Sequence, residues 1–229
     1  MGFIWHSFFV IVVTQNNLYI CLKLKKMIAT AVKADNQVTA SIPEFLVYEE
    51  LNGQKLYRKG YKQYLNQTKT IEEIMGCSSL QGILISILLR YLYKNTDENE
   101  YEILTNEAGL HISLGNNLSS DIILYNAEDA RQYQYDEHYF NVAPKMVIEV
   151  GIKIEMENIY SVDYWTKKTQ TLFDFGVEKV LWIFSEDKKI ILAEPNKDWI
   201  VRDWNKDFEL LPNHIVNIQN MIEKKGYKI

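Results

Sequence analysis

The chain has 229 residues, 47% of them hydrophobic and 24% charged, with a formal net charge of -5 at pH 7. This is the make-up of an ordinary globular chain, one domain or one with an appendage, long enough to bury a core without a metal or disulfide staple. The mild acidity argues against a sequence-independent nucleic-acid coat, which rests on lysine and arginine neutralising phosphates, and the two cysteines, Cys21 and Cys77, have no metal-ligand spacing and read as free thiols.

Residues 1–26 differ from the rest: FIWHSFFVIVV is broken by TQNN and followed by LYICLKLKK. A secretory signal would need a positive start and a small-residue cleavage site. A membrane span would need about 20 unbroken apolar residues. The segment reads as an over-long start ahead of Met27, with a membrane-attached N-terminus as the alternative. Residues 27–44 form a loose leader, and 45–229 a single domain.

The next stretch, PEFLVYEEL-NG-QKLYRKGY, predicts a β-hairpin turning at Asn52-Gly53. Its second arm carries Lys55, Arg58, Lys59 and Lys62 among Tyr57, Tyr61 and Tyr64. Such interleaving suits a phosphate backbone and stacked bases, and it also suits a plain solvated face. Glu72 and Glu73 follow, favourable charges for a helix start. Ser78 with Gln81 predicts a capping box and a helix from Ser79 over the apolar run LQGILISILLRYL, buried against a sheet.

NTDENE is an acidic turn. YEILTNEAGLHISLG predicts two short strands, with His111 packed or at a solvent edge, and Asp121 opens a further strand, DIILYN. A long tyrosine-rich connection leads to PKMVIEV, where Glu149 stands among Val147, Ile148 and Val150. Connections of that length tend to be functional or mobile; this one, with Arg131, Asp136, Glu137 and His138, is expected away from the acids, as a dimer or partner surface. A carboxylate in an apolar strand costs free energy unless it is paired or bound to a cation. If the two strands pair antiparallel, Asp121 and Glu149 become neighbours at one sheet end. That outlines a divalent-metal site, since hard cations take oxygen ligands from a few carboxylates, water and phosphate.

In the helix NIYSVDYWTKKTQTLFDFG, a 100° periodicity places Val162, Trp165, Leu172 and Phe173 on the core stripe. Lys168 falls at its flank, aimed toward the sheet end, and Lys167 points to water. Gly176 stops the helix. The strands VEKVLWIFS, DKKIILAE, DWIVRDW and FELL then extend or wrap the core sheet as antiparallel strands, with Trp182, Trp199 and Trp204 in the core, and IVNIQNMIEKK forms a short C-terminal helix.

Ser120-Asp121, Glu149-Val150, Lys168, Gly176-Val177 and the strand Val180-Leu181-Trp182-Ile183 together resemble the PD-(D/E)XK nuclease superfamily. The closer resemblance is to its Uma-type family of small bacterial restriction endonucleases, and it covers roughly residues 70–195. In that family the lysine can move from the strand, where Gly151 stands here, to the helix. Three positions depart from its pattern: Ser120 replaces a proline, Ile152 a serine, and Gln81 a histidine.

The resemblance implies an α/β fold, a restriction-endonuclease-like mixed β-sheet core flanked by helices, with additional antiparallel strands. It implies a cytoplasmic endonuclease cutting DNA with Mg²⁺ or Mn²⁺. Asp121 and Glu149 would hold the metal, with Glu73 as a third candidate, and Lys168 would orient the attacking water or offset phosphoryl charge. Lys55, Arg58, Lys59 and Lys62 would contact the nucleic acid. A homodimer is allowed, and no small-molecule cofactor is called for. The alternative is a catalytically silent nuclease-fold interaction module, tethered to a membrane if residues 1–26 act as an anchor.

Overall fold

The computed structural model describes residues 42–155 and 161–228. The chain divides into two units, Met1–Pro43 and Glu44–Ile229, and the elements below belong to the second. Expectations for the N-terminal apolar segment, the leader up to residue 41 and Cys21 lie outside the described residues. Among the described residues no helix is long and apolar enough to cross a membrane.

A 3-10 turn, Glu44–Leu46, leads into β1 (Val47–Leu51), which pairs antiparallel with β2 (Gln54–Tyr57). Asn52 and Gly53 between them have φ of 52° and 74°, the left-handed pair that a two-residue hairpin of matching twist requires. Two short helices follow, α1 (Tyr61–Leu65) and α2 (Ile71–Met75), then the long α3 (Ser79–Asn95). Helix α2 carries a capping box that the sequence pattern did not reveal: Glu73 N–H donates to Thr70 Oγ1 at 3.4 Å, and Thr70 N–H to Glu73 Oε2 at 2.7 Å. At α3 only half the expected box forms. Gln81 N–H donates to Ser78 Oγ at 3.2 Å, while the Gln81 side chain goes elsewhere.

The two short strands expected after the acidic turn are one long strand, β3 (Tyr101–Ser113). A register shift between Thr105 and Ala108 kinks it, with Asn106 and Glu107 at φ of 69° and 56°. A bulge leaves its extra residues outside the ladder and re-aims a side chain; here that residue is Glu107. Strand β4 (Asn116–Asn126) starts earlier than expected, so Asp121 lies mid-strand rather than at its opening. The remaining elements are α4 (Ala127–Arg131), β5 (Met146–Val150), α5 (Ser161–Phe175), β6 (Lys179–Phe184), β7 (Lys189–Ala193), β8 (Ile200–Asp203), β9 (Phe208–Leu211), β10 (His214–Val216) and α6 (Ile218–Glu223).

The main sheet runs β2-β1-β4-β5-β6-β7-β8, with β3 also paired to β4, and β9 and β10 form a separate two-stranded ribbon. Every pair is antiparallel except β5 with β6, which α5 joins as a crossover. A strand has only two edges. One edge of β4 is covered by β3 along its length, so β1, at Glu50↔Asn117, and β5, at Ile122↔Ile148, must share the other edge in succession. The stretch of β4 between those contacts is a fork, and Asp121 sits in it.

Successive residues of a strand face opposite sides. Ile122, Leu124, Ile148 and Leu181 face one core, with Leu84, Leu88 and Leu92 of α3 and Trp204, Phe208 and Ile218 of the C-terminal part. Ile123, Tyr125, Val147, Val180 and Trp182 face the other, with Tyr164 and Leu172 of α5. Both faces are covered, which is why β5 is apolar at every position but Glu149. Glu149 has the parity of Val147 and turns toward α5. The core stripe of α5 is rotated from the expected one: Tyr164, Lys168, Thr169 and Leu172 are buried, while Trp165 and Phe173 lie on the flank against Trp199. Lys167 is exposed, as expected; the side chain of Val162 is outside the described residues.

Candidate active site: an ion-pair cluster at the fork of the sheet

One further step in the β4–β5 register from Ile122↔Ile148 brings Asp121 opposite Glu149. Directly opposed residues of an antiparallel pair share a face, so the two acids separated by a long connection become neighbours. Asp121 Oδ2 accepts the Val150 N–H at 2.8 Å, and Oδ1 accepts Gln81 Nε2 at 3.4 Å and pairs with Lys153 Nζ. Glu149 Oε1 lies 3.0 Å from Lys168 Nζ. Lys168 also donates to Glu49 Oε2 and to the Ser119 carbonyl, both at 2.8 Å, and Tyr164 OH donates to Glu49 Oε1 at 2.5 Å. Relative exposure is 0% for Lys168, 2% for Asp121 and 3% for both Glu49 and Glu149.

Outside this buried pair of acids is a second, shallower layer. After β5 the chain turns at Gly151, whose φ is 77°, and Lys153 comes back toward Asp121. The segment is held by backbone bonds to β2 and its end: Lys59 N–H to the Lys153 carbonyl at 2.7 Å and Glu155 N–H to the Tyr57 carbonyl at 2.8 Å. Lys153 Nζ is 3.2 Å from Glu107 Oε1, the residue set by the β3 bulge, and Arg58 Nη2 is 3.4 Å from Glu107 Oε2. Arg58 and Lys153 both lie over the Tyr48 ring, at 5.1 and 5.8 Å.

Four carboxylates (Glu49, Glu107, Asp121, Glu149) thus meet three cations (Arg58, Lys153, Lys168) among the described residues. The imbalance falls on Glu149. Burial pushes its carboxyl up to about 7; Lys168 opposes this, and Asp121 and Glu49 reinforce it. Burial pulls the Lys168 and Lys153 ammonium groups down, but the carboxylates outweigh it and both end above the ordinary lysine value, Lys168 through Glu149 and Glu49, Lys153 chiefly through Asp121. Tyr48 and Tyr164 are raised by burial and then by the same carboxylates. Glu149 Oε1 touches Lys168 without hydrogen-bond alignment, and Tyr48 OH, Arg58 Nε and Ser120 Oγ are likewise buried without a hydrogen bond. Buried orphans of this kind mark strain, or a water or ion that belongs there.

A cleft of about 440 Å³ opens beside the cluster, with Arg58, Gln81, Glu107, Gly151 and Lys153 on its walls. Glu73 is on its rim, exposed, with its carboxylate turned to the Thr70 N–H; it does not join the acid pair. The basic run of the hairpin arm is divided. Lys55 pairs with Glu44 at 2.5 Å and lines a different cleft, Lys59 is exposed and 3.9 Å from Glu186, and Lys62 lies 6.0 Å from the Tyr61 ring centre. Only Arg58 enters the cluster. His111 is exposed and shares a hydrogen bond with Asn117 Oδ1 at 2.6 Å.

The long connection does not stay at the far end of the sheet. Phe140 bridges to Leu110 on β3, and Asp136, His138 and Tyr139 wall a cleft of about 820 Å³ that Glu49 also lines. Sequence reasoning missed Glu49, Glu107, Lys153 and Tyr164. The one legible signal was the glycine in Glu-Val-Gly-Ile-Lys, which permits a turn that returns the lysine to the acids. Among the described residues no group of three or more His, Cys, Asp or Glu is placed to hold a metal ion.

No family model and no curated protein matches the chain. Among solved structures it is similar to a protein of Anabaena variabilis described as a putative nuclease belonging to DUF820, with a TM-score of 0.53 and 12% identity, over 76% of this chain and 89% of that one. The two share a fold: a mixed α/β architecture with a mostly antiparallel central sheet flanked by helices.

Proposed function

We propose that the chain is a metal-dependent nuclease that hydrolyses DNA phosphodiester bonds at the fork of the sheet, with Asp121 and Glu149 as the ligands of Mg²⁺ or Mn²⁺. One observation carries the reading: two opposed acids sit in a cluster with an excess carboxylate, and Glu149 Oε1 is buried without a hydrogen bond. That donor set fits a divalent cation. Mg²⁺ uses one or two carboxylates and completes its shell with water and substrate phosphate, so a third protein acid is not required. When bound, the ion would polarise the phosphate and lower the pKa of a coordinated water.

The chain's own groups hold the acids for that task. The Val150 N–H fixes Asp121, and Lys168 holds Glu149 from the α5 side. The cleft beside them carries Arg58, Lys59, Lys69 and Lys153 on its walls along with Glu73, Glu107, Glu155 and Glu186, so a phosphate would meet these cations by displacing a carboxylate such as Glu107. A second reading, the silent interaction module, is favoured by one fact: both acids are already engaged by lysines and nearly excluded from solvent. Incubation of plasmid and single-stranded DNA with pure protein and Mg²⁺ or Mn²⁺ separates the two. Cleavage is expected, and Asp121→Ala should slow it about a hundredfold or more, because the ion's stabilisation of transition-state charge is worth several kcal/mol. No cleavage of either substrate with either metal, or an Asp121→Ala protein as fast as the parent, overturns the nuclease reading.

A further inference from the structure

We propose that Lys153, returned to Asp121 by the left-handed turn at Gly151, is the lysine that meets the substrate phosphate, and that Lys168 is a buried positioning residue for Glu149. For its substrate the inference rests on the nuclease reading; for the placement of the two lysines it does not.

The two ammonium groups differ in what they can still do. A lysine has three N–H donors and no acceptor. Those of Lys168 go to Glu49 Oε2 and the Ser119 carbonyl, both at 2.8 Å, and to Tyr164 OH at 3.5 Å, while Glu149 Oε1 lies 3.0 Å away as an ion pair, all around a side chain with no exposed surface. To reach a phosphate, Lys168 would have to leave two buried carboxylates uncompensated, which is strongly unfavourable. What it does instead is fix Glu49 and Glu149 relative to each other.

Lys153 is on a cleft wall, with 18% of its side chain exposed; it reaches inward to the buried Asp121, while its second partner, Glu107, lines the same cleft. The backbone explains how it gets there. Had β5 continued, residue 151 would share the face of Glu149, but a glycine with φ of 77° stands there and turns the chain. The Arg58↔Ile154 bridge and the Lys59–Lys153 backbone bond then pin the returning segment. The amine is therefore delivered by fixed structure, and it can exchange a carboxylate for an entering phosphate without being dug out of the core. Arg58, on the same wall, faces the same space.

The test uses the full chain. Amine-reactive labelling read by mass spectrometry should modify Lys153 in the folded protein and Lys168 only after denaturation. A duplex oligonucleotide with Ca²⁺ should slow labelling of Lys153. In cleavage assays, Lys153→Ala should lower kcat/KM about a hundredfold with KM raised and should also melt lower, because Asp121 loses its cation, while Lys153→Arg should restore the melting temperature and recover part of the lost activity. Lys168→Met should melt lower and lose kcat with KM unchanged, as expected of a group that does not touch substrate. Equal labelling of the two lysines in the folded protein, or Lys153→Ala cutting like the parent, overturns the assignment, and wild-type labelling decides it even if Lys168→Met fails to fold. If the parent cuts nothing but the oligonucleotide still protects Lys153, the hydrolase reading falls and the phosphate contact stands.

Discussion

Glu149 is buried beside two other carboxylates and one lysine, and its titration can be read in stability. Its folded value of about 7 lies above the ordinary 4.5, so between those values the folded chain binds more protons than the unfolded one. The stability this contributes is fully present below about pH 4.5 and is lost as the pH rises through about 7. Metal-free protein should therefore melt at a lower temperature at pH 7.5 than at pH 5.5, and Glu149→Gln should flatten that slope; an unchanged slope in the variant would refute the assignment. Glu49 matters for a different reason. It accepts from both Tyr164 OH and Lys168, so Glu49→Ala strips a buried cation of one partner. Breaking a buried pair in this way costs about 3–5 kcal/mol, measurable by urea unfolding.

At the scale of elements, two glycines hold the segments that frame the clusters. A methyl group added to Gly151 would meet open space, but the residue's φ is 77°, so Gly151→Ala meets backbone strain of about 1–2 kcal/mol. Relaxing that strain would swing Lys153 away from Asp121, and the variant should lose more activity than its modest loss of stability explains. Gly109 has the opposite problem. A Cβ there would lie 2.6 Å from the Tyr139 ring, where the connection after α4 docks on β3 through the Phe140 N–H to Gly109 carbonyl and His111 N–H to Phe140 carbonyl bonds, at 3.0 and 2.8 Å. Gly109→Ala should push the ring off and loosen the connection, costing about 1–3 kcal/mol. Faster limited proteolysis within residues 127–145 is the expected sign, and unchanged cleavage there would show that the ring moves without the backbone.

For the whole molecule, one sheet with a core on each face should unfold as a unit. Leu88 on α3 and Leu172 on α5 are 1% and 0% exposed and lie in different clusters. Each change to alanine should cost about 2–5 kcal/mol. Because the two share no partner across the sheet, the double variant should lose close to the sum, still in a single transition. Two separate transitions would mean that the faces fold independently.

The hairpin at Asn52-Gly53, the order of strands and helices around Glu149, the antiparallel meeting of Asp121 with Glu149 and the inward turn of Lys168 were all legible in the sequence. Each follows from a local rule: turn residues with positive φ, a periodicity of two or of 3.6, or an acid stranded in an apolar run. Only the tertiary structure showed that Glu49 of β1 is the other partner of Lys168, that Glu107 is thrown inward by a bulge, and that Lys153 returns to Asp121. Those meetings depend on β1 and β5 sharing one edge of β4 and on the path taken after Gly151. Pairings of that kind join residues far apart along the chain, and no local pattern of side chains encodes which of them will touch.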